Sequence, residues 1–126
     1  MMNDLNQLLQ EANEKVKRLS FAEASEVIAT EKNIIIDVRE ESEVIASGLI
    51  KGAINIPKSL FDNNFSKDLI ENHIDDIEQT KVLLYCAVGV RSALVGLTLV
   101  TNGYKNILNI GGYSEWISNN GAIEQQ

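Results

Sequence analysis

Residues 82–103 constrain this chain more than any other stretch, because their pattern demands a covered strand, a tight loop and a helix in that order. Val82-Leu83-Leu84-Tyr85 is a continuous apolar run, as in a strand buried on both faces of a parallel sheet. Past Cys86-Ala87-Val88-Gly89-Val90-Arg91-Ser92, the residues Ala93, Leu94, Leu97 and Val100 recur at helical spacing, and Gly103 is a natural helix stop. A loop that turns from strand into helix directs successive backbone N–H groups into its own hollow. The first amides of the helix have no internal partner and add their partial positive charge. An anion is stabilised there, and that is where the single cysteine of the chain falls.

A free thiol ionises near ~8.5, but beside a cation or at a helix N-terminus values of roughly 3.5–7.5 occur. Cys86 in this setting is a candidate nucleophile, substantially thiolate at neutral pH. The competing reading is a small buried apolar residue, the default for a lone free cysteine. The strand–loop–helix setting favours the nucleophile. Gly89 lets the backbone turn where a side chain would obstruct it. Arg91 brings a planar cation able to grip loop carbonyls or an anionic substrate. Tyrosine-phosphatase loops also set a cysteine and an arginine around an anion, but with one more residue than the four found here, Ala87 to Val90. The smaller ring suits a sulfur atom better than a tetrahedral phosphate.

The loop, written C-x-x-G-x-R-S, resembles the active loop of single-domain rhodanese-like sulfurtransferases. Three further stretches match in family order: Asp37-Val38-Arg39-Glu40 with Glu43 beyond, the run from Gly48 to Pro57, and Gly111-Gly112 followed by Trp116. In the second of these Leu49 stands where the family often has histidine. The resemblance covers roughly residues 20–120. It implies an α/β three-layer fold, a central parallel sheet with helices on both faces. It also implies a sulfurtransferase that carries sulfane sulfur as a persulfide on Cys86, taken from thiosulfate or a low-molecular-weight persulfide and passed to a nucleophilic acceptor, which can be a protein. Ala87, Val88, Gly89, Val90, Arg91 and Ser92 then form the substrate-binding loop. Asp37 and Arg39 are structural in the family, bracing the sheet edge near that loop, and no cofactor is implied. The rival from another class is a non-catalytic sulfur carrier or protein-interaction module. Arg91 is the loop's one charge and the chain is acidic, which weakens the case for doubly charged thiosulfate as natural donor.

With 126 residues, 44% of them hydrophobic, the chain suits one domain with an adequate core. A net charge of −7 argues against a nucleic-acid backbone or an anionic membrane as partner. No apolar run approaches the ~20 residues of a membrane span, and the N-terminus lacks the basic and apolar regions of a signal peptide. One cysteine allows no internal disulfide, so a reducing cytoplasm is expected, and one cysteine with one histidine, His73, makes no ordinary metal site.

Residues 3–18 read as an amphipathic helix, with Leu5, Leu8, Leu9, Ala12, Val16 and Leu19 on one stripe. The stripe packs on the chain's own core or docks a second copy or a partner; residues 1–19 are then an extension of a domain over 20–126. Ser20 and Glu23 have capping-box spacing, which predicts a helix from Phe21 to about Ala29. Residues 33–38 predict a strand, 40–46 a short helix, and 53–56 a strand ended by Pro57. Residues 58–66 predict a loop in which Phe61 and Phe65 either line an acceptor site or cover the core. Residues 66–78 predict a helix carrying Leu69, Ile70, Ile74 and Ile77, with His73 as a part-buried structural residue. Residues 106–110 predict the last strand, followed by a turn into the Trp116 helix and a polar, frayed tail over 119–126.

Overall fold

The computed structural model describes residues 4–63 and 65–126. Along the chain run α1 (Asp4–Lys15), β1 (Lys17–Arg18), α2 (Phe21–Thr30), β2 (Asn33–Asp37), α3 (Glu41–Ser47), β3 (Leu49–Ile50), β4 (Ile54–Asn55), α4 (Lys58–Asn63), α5 (Asp68–Glu71), β5 (Lys81–Cys86), α6 (Val90–Thr101), β6 (Ile107–Gly112), α7 (Tyr113–Ser118) and β7 (Ile123–Glu124). Five strands form one sheet in the order β1-β6-β5-β2-β4, every pair parallel. The continuous apolar run is its middle strand, β5, and Val82 to Tyr85 are fully buried. From β2 the chain proceeds to the β4 side, and from β5 to the β6 side. The crevice at the C-terminal ends of β2 and β5 is therefore a topological switch point, where open α/β sheets bind ligands.

Strand parity decides what faces what. Val82, Leu84 and Cys86 point to one face, where Val95 and Leu99 of α6 and Phe61 of α4 complete the core. Leu83 and Tyr85 point to the other, with Ala24 of α2 and Tyr113 and Trp116 of α7. Helices thus cover both faces, as the resemblance implies. The expected capping box at the start of α2 is present, with Ser20 Oγ accepting from the Glu23 amide and the Glu23 carboxylate accepting from the Ser20 amide.

The stretch expected as an N-terminal helical extension is helical only to Lys15. Lys17 and Arg18 pair with Leu108 and Asn109 as the edge strand of the main sheet. Ala12 and Val16 are buried, with Leu9 against Ala93 and Leu97 of α6, whereas Leu5 and Leu8 are exposed. Residues 1–3 lie outside the described residues. Gly96 on α6 makes the approach possible: a Cβ there would come within 2.9 Å of a Val16 methyl.

Three other expectations are corrected. Lys58–Asn63 is a helix, not a loop: Pro57 suits the entry to a helix as well as the end of a strand, and Lys58 pairs with Asp62 one turn on. Phe61 and Phe65 stack with centroids 6.3 Å apart, and both pack into the core. Residues 66–78 hold only one short helix, α5, followed by turns. Asn72, His73, Asp75 and Asp76 are poor helix formers, and Ile74 and Ile77 reach the core from turns instead. His73 is exposed, not part-buried. The tail is not free: β7 pairs antiparallel with β3, and the Trp116 indole N–H donates to the Ala122 carbonyl at 2.9 Å. Leu49, in the position of the family histidine, is a packing residue of β3, only 4% exposed. Among the described residues no helix is long and apolar enough to cross a membrane.

Candidate active site

Cys86 ends β5 with its Sγ on the α6 face, 1% exposed. Its surroundings are those of an anion site. Gly89 takes φ +100°, the left-handed conformation that glycine tolerates, and this turn aims its amide back at the sulfur. The Gly89 N–H donates to Sγ at 3.1 Å and the Ser92 N–H at 3.4 Å, while the Ser92 hydroxyl lies 3.5 Å away. Burial pushes the Cys86 thiol up, but the Ser92 hydroxyl and the amides of Ser92, Gly89 and Val88 outweigh it and hold the thiol below its ordinary value. Cys86 thus packs among core residues but has donors aimed at its sulfur that favour its anionic form.

The C-terminal end of β6 and the start of α7 complete the loop. A Cβ on Gly112 would run into the Ala87 carbonyl oxygen and come within 2.8 Å of Val88 Cα, so only glycine lets the strand lie against the loop. Ser114 offers its amide and hydroxyl to the same carbonyl at 3.4 and 3.3 Å. Asn109, 3% exposed on β6, reaches under the loop. Its Nδ2 donates to the Gly89 carbonyl at 3.2 Å, and its Oδ1 accepts from Ser92 Oγ and from the Gly111 amide, each at 2.9 Å. One extra residue in β6, Ile110, follows Asn109 and sets Gly111 opposite Tyr85, with its amide on Asn109 Oδ1.

Arg91 does not grip the loop carbonyls. Its Nη1 and Nη2 donate to the two oxygens of Glu43 on α3, at 2.7 and 3.0 Å. The Arg91 pair holds the Glu43 carboxyl down to about 2. Glu43 in turn raises Arg91, and a thiolate at Cys86 adds to that. The bidentate pair bridges the two strand ends of the switch point and leaves the loop's one cation neutralised. Val88 is 70% exposed and Val90 40%, so the mouth of the loop is apolar as well as neutral.

Asp37 and Arg39 do not meet the thiol. Asp37 pairs with Tyr85 across the sheet and so lies on the opposite face from Cys86. Both are buried, and Arg39 Nε and Nη2 hold the Asp37 carboxylate at 2.7–3.0 Å. Arg39 also donates to Ser47 Oγ and to the Gly48 carbonyl, each at 2.8 Å, with its guanidinium 4.3 Å from the Tyr113 ring centre. The pair ties the α3–β3 turn to the sheet's interior strands, so it braces that turn more than the sheet edge. Through α3 it also fixes the base from which Glu43 reaches Arg91. Among the described residues no group of three or more His, Cys, Asp or Glu could hold a metal ion.

Sequence reasoning placed the loop and its cysteine but not their two supports. Glu43 is legible as part of the match that begins at Asp37, but its pairing with Arg91, 48 positions away, is not. Asn109 carried a clearer signal, a polar side chain in an otherwise apolar strand, because a buried amide must find partners.

Comparison with known proteins agrees with this geometry. Residues 20–119 match the rhodanese-like domain family. A tRNA uridine(34) hydroxylase of Prochlorococcus marinus is 32% identical over 91 residues, which is 70% of this chain and 29% of that protein. The chain thus spans under a third of that relative's length. A mouse thiosulfate sulfurtransferase/rhodanese-like domain-containing protein 3 is 26% identical over 120 residues, 87% of this chain and 74% of that protein. Among solved structures, a Rhodopseudomonas palustris protein of unknown function, described as a possible tyrosine phosphatase, superposes with a TM-score of 0.82 at 26% identity, over 98% of this chain and 96% of that one. On the match across residues 20–119 and the parallel-sheet architecture that carries Cys86, this chain belongs to the rhodanese-like domain family.

Proposed function

We propose that this protein is a sulfurtransferase that carries sulfane sulfur on Cys86. The observation that carries the reading is the convergence of the Gly89 and Ser92 amides on one sulfur atom, at 3.1 and 3.4 Å. Donors fixed in this way stabilise the thiolate that attacks and the persulfide anion that results, as an oxyanion hole does an oxyanion. In the first half-reaction the Cys86 thiolate attacks the outer sulfur of a donor, the new S–S bond forms, and the donor leaves as a thiolate, or as sulfite when the donor is thiosulfate. In the second, a nucleophilic acceptor takes the outer sulfur, the S–S bond breaks, and the Cys86 thiolate returns. Each half balances without a cofactor, and the kinetics are ping-pong.

The Arg91–Glu43 pair bears on the donor. With its cation neutralised, the mouth offers a dianion little attraction, so a low-molecular-weight persulfide is the better donor than thiosulfate. The exposed Val88 and Val90 favour a second reading, in which the acceptor is a protein and the domain serves as a carrier. The two are separated by transfer rates. Saturable turnover with glutathione persulfide supports the enzyme, and loading without turnover to small acceptors supports the carrier. A phosphatase or arsenate reductase is disfavoured by the short loop; Cys86-dependent turnover of an aryl phosphate would reverse that ranking.

Mass spectrometry after exposure to each donor tests the core of the proposal. The wild-type chain gains one sulfur that dithiothreitol removes, and Cys86→Ser gains none. Absence of the adduct with every donor would overturn the assignment.

A further inference from the structure

The hydrogen bonds beneath the loop fix where the Ser92 hydroxyl hydrogen lies. Asn109 is oriented by two neighbours: its Nδ2 faces the Gly89 carbonyl, an acceptor, and its Oδ1 faces the Gly111 N–H, a donor. Flipping the amide would set N–H against N–H and oxygen against oxygen. Oδ1 therefore carries no hydrogen, and the 2.9 Å contact from Ser92 Oγ must be a donation by the hydroxyl. A serine has one such hydrogen. Toward Sγ, 3.5 Å away, Ser92 Oγ consequently presents a lone pair, which suits a protonated Cys86 that donates its S–H. A thiolate has no hydrogen to give, and an oxygen lone pair beside it is repulsive. The hydroxyl must then turn from Asn109 to the sulfur. Asn109 Oδ1 tolerates the loss because it keeps the Gly111 N–H, so no buried polar group is stranded by the exchange.

We propose that Asn109 is the positioning residue of this site: its Oδ1 holds the Ser92 hydroxyl hydrogen while Cys86 is a thiol and yields it to Sγ when the thiolate forms. The strength of the Asn109–Ser92 bond then sets how readily Cys86 ionises. This rests on the reading that Cys86 works as a thiolate, but not on any sulfur donor. Charged groups around the loop are paired off; Arg91 still attracts a Cys86 thiolate, but Glu43 holds that arginine in place, so this exchange is the adjustable contact. Arg91 is held by Glu43, Arg39 by Asp37 on the far face, Arg18 above Gly111 by Glu115, and Lys58 of α4 by Asp62.

The test is the pH dependence of iodoacetamide alkylation, read by mass spectrometry; with one cysteine in the chain the label reports Cys86 alone. Asn109→Asp puts a carboxylate in place of the amide, and a charged acceptor grips the hydroxyl about twice as strongly. The midpoint is expected to rise by about one pH unit, a tenfold loss of reactivity below it. Most of that rise is expected to vanish when the same change is made in Ser92→Ala, because there is no hydroxyl to hold. An equal rise in both backgrounds would show that the carboxylate acts only by its charge, and would overturn the proposal, as would no rise at all. Should Asn109→Asp fail to fold, the wild-type chain serves. The Gly111 amide proton resonance is expected to move with the same midpoint as Cys86, since its bond to Oδ1 tightens when the hydroxyl leaves, and to lose that response in Ser92→Ala. A Gly111 resonance that ignores the thiol, or that responds equally without Ser92, would sink it. Failure here with persulfide loading intact rejects the role of Asn109 alone; failure of loading with the alkylation result intact rejects the sulfur chemistry alone.

Discussion

Glu43 shows how one carboxylate can define a site it never enters. Opposite Arg91 it cancels the loop's charge, and the pairing makes it titrate far below an ordinary glutamate. Its unfolded value is 4.5 and its folded value about 2. A depressed acid stabilises the fold fully above its unfolded value, and that contribution is lost as pH falls from about 4.5 through 2. Thermal melts across this window should therefore fall more steeply for the wild-type chain than for Glu43→Gln, and equal slopes would contradict the pairing. At neutral pH the same variant frees Arg91 for an anionic donor. The kcat/KM for thiosulfate is expected to rise about two- to fivefold relative to glutathione persulfide, the range an exposed ion pair commands. A fall in that ratio would show that Glu43 supports thiosulfate binding instead of opposing it.

Between elements, the α1–α6 contact carries more than the amphipathic pattern suggested. Val16 lies over Gly96 so closely that an added Cβ would come within 2.9 Å of one methyl and 3.0 Å of the other. Valine is stiff at χ1 and cannot swing aside. Gly96→Ala should gain up to about 1 kcal/mol of helix propensity and lose about 1–3 kcal/mol to overpacking, a net loss in urea denaturation. Val16→Ala, destabilising by itself, should cost distinctly less in the Gly96→Ala background, where the crowding methyls are gone. Additive effects would mean that the two residues do not compete for the same space. The polar stretch after α5 is instructive in the opposite sense. Its isoleucines repeat at helical spacing, yet irregular turns meet the same core because only burial, not the helix, is required of them.

For the whole molecule, the question is whether the first 19 residues form an appendage. Their C-terminal part closes the main sheet as β1 and inserts Ala12 and Val16 into the core. Val16 alone is worth roughly 1.5–3 kcal/mol if fully buried, against a total stability of about 5–15 kcal/mol for a typical domain. Removing residues 1–18 should accordingly cost about 3 kcal/mol or more of unfolding free energy once β1 pairing is included, read as a lower urea midpoint. A truncated chain as stable as the full one would return these residues to the status of an extension. The same global view explains the location of the chemistry. The two halves of the crossover diverge between β2 and β5, and the Arg91–Glu43 bridge spans that divergence.

What the amino-acid sequence determined by itself was local and periodic: the buried middle strand, the turn at Gly89, the α6 amphipathicity and the capping box at Ser20. Each follows from interactions among residues a few positions apart, which leave their spacing in the chain. Tertiary structure alone decided that β1 and β7 are strands, that Arg91 is spent on Glu43, and that Asn109 holds Ser92. Those partners are separated by 48 and 17 positions in the chain. Such contacts are chosen by sheet order and strand parity, which bring distant side chains to one face and leave no periodic mark on either segment.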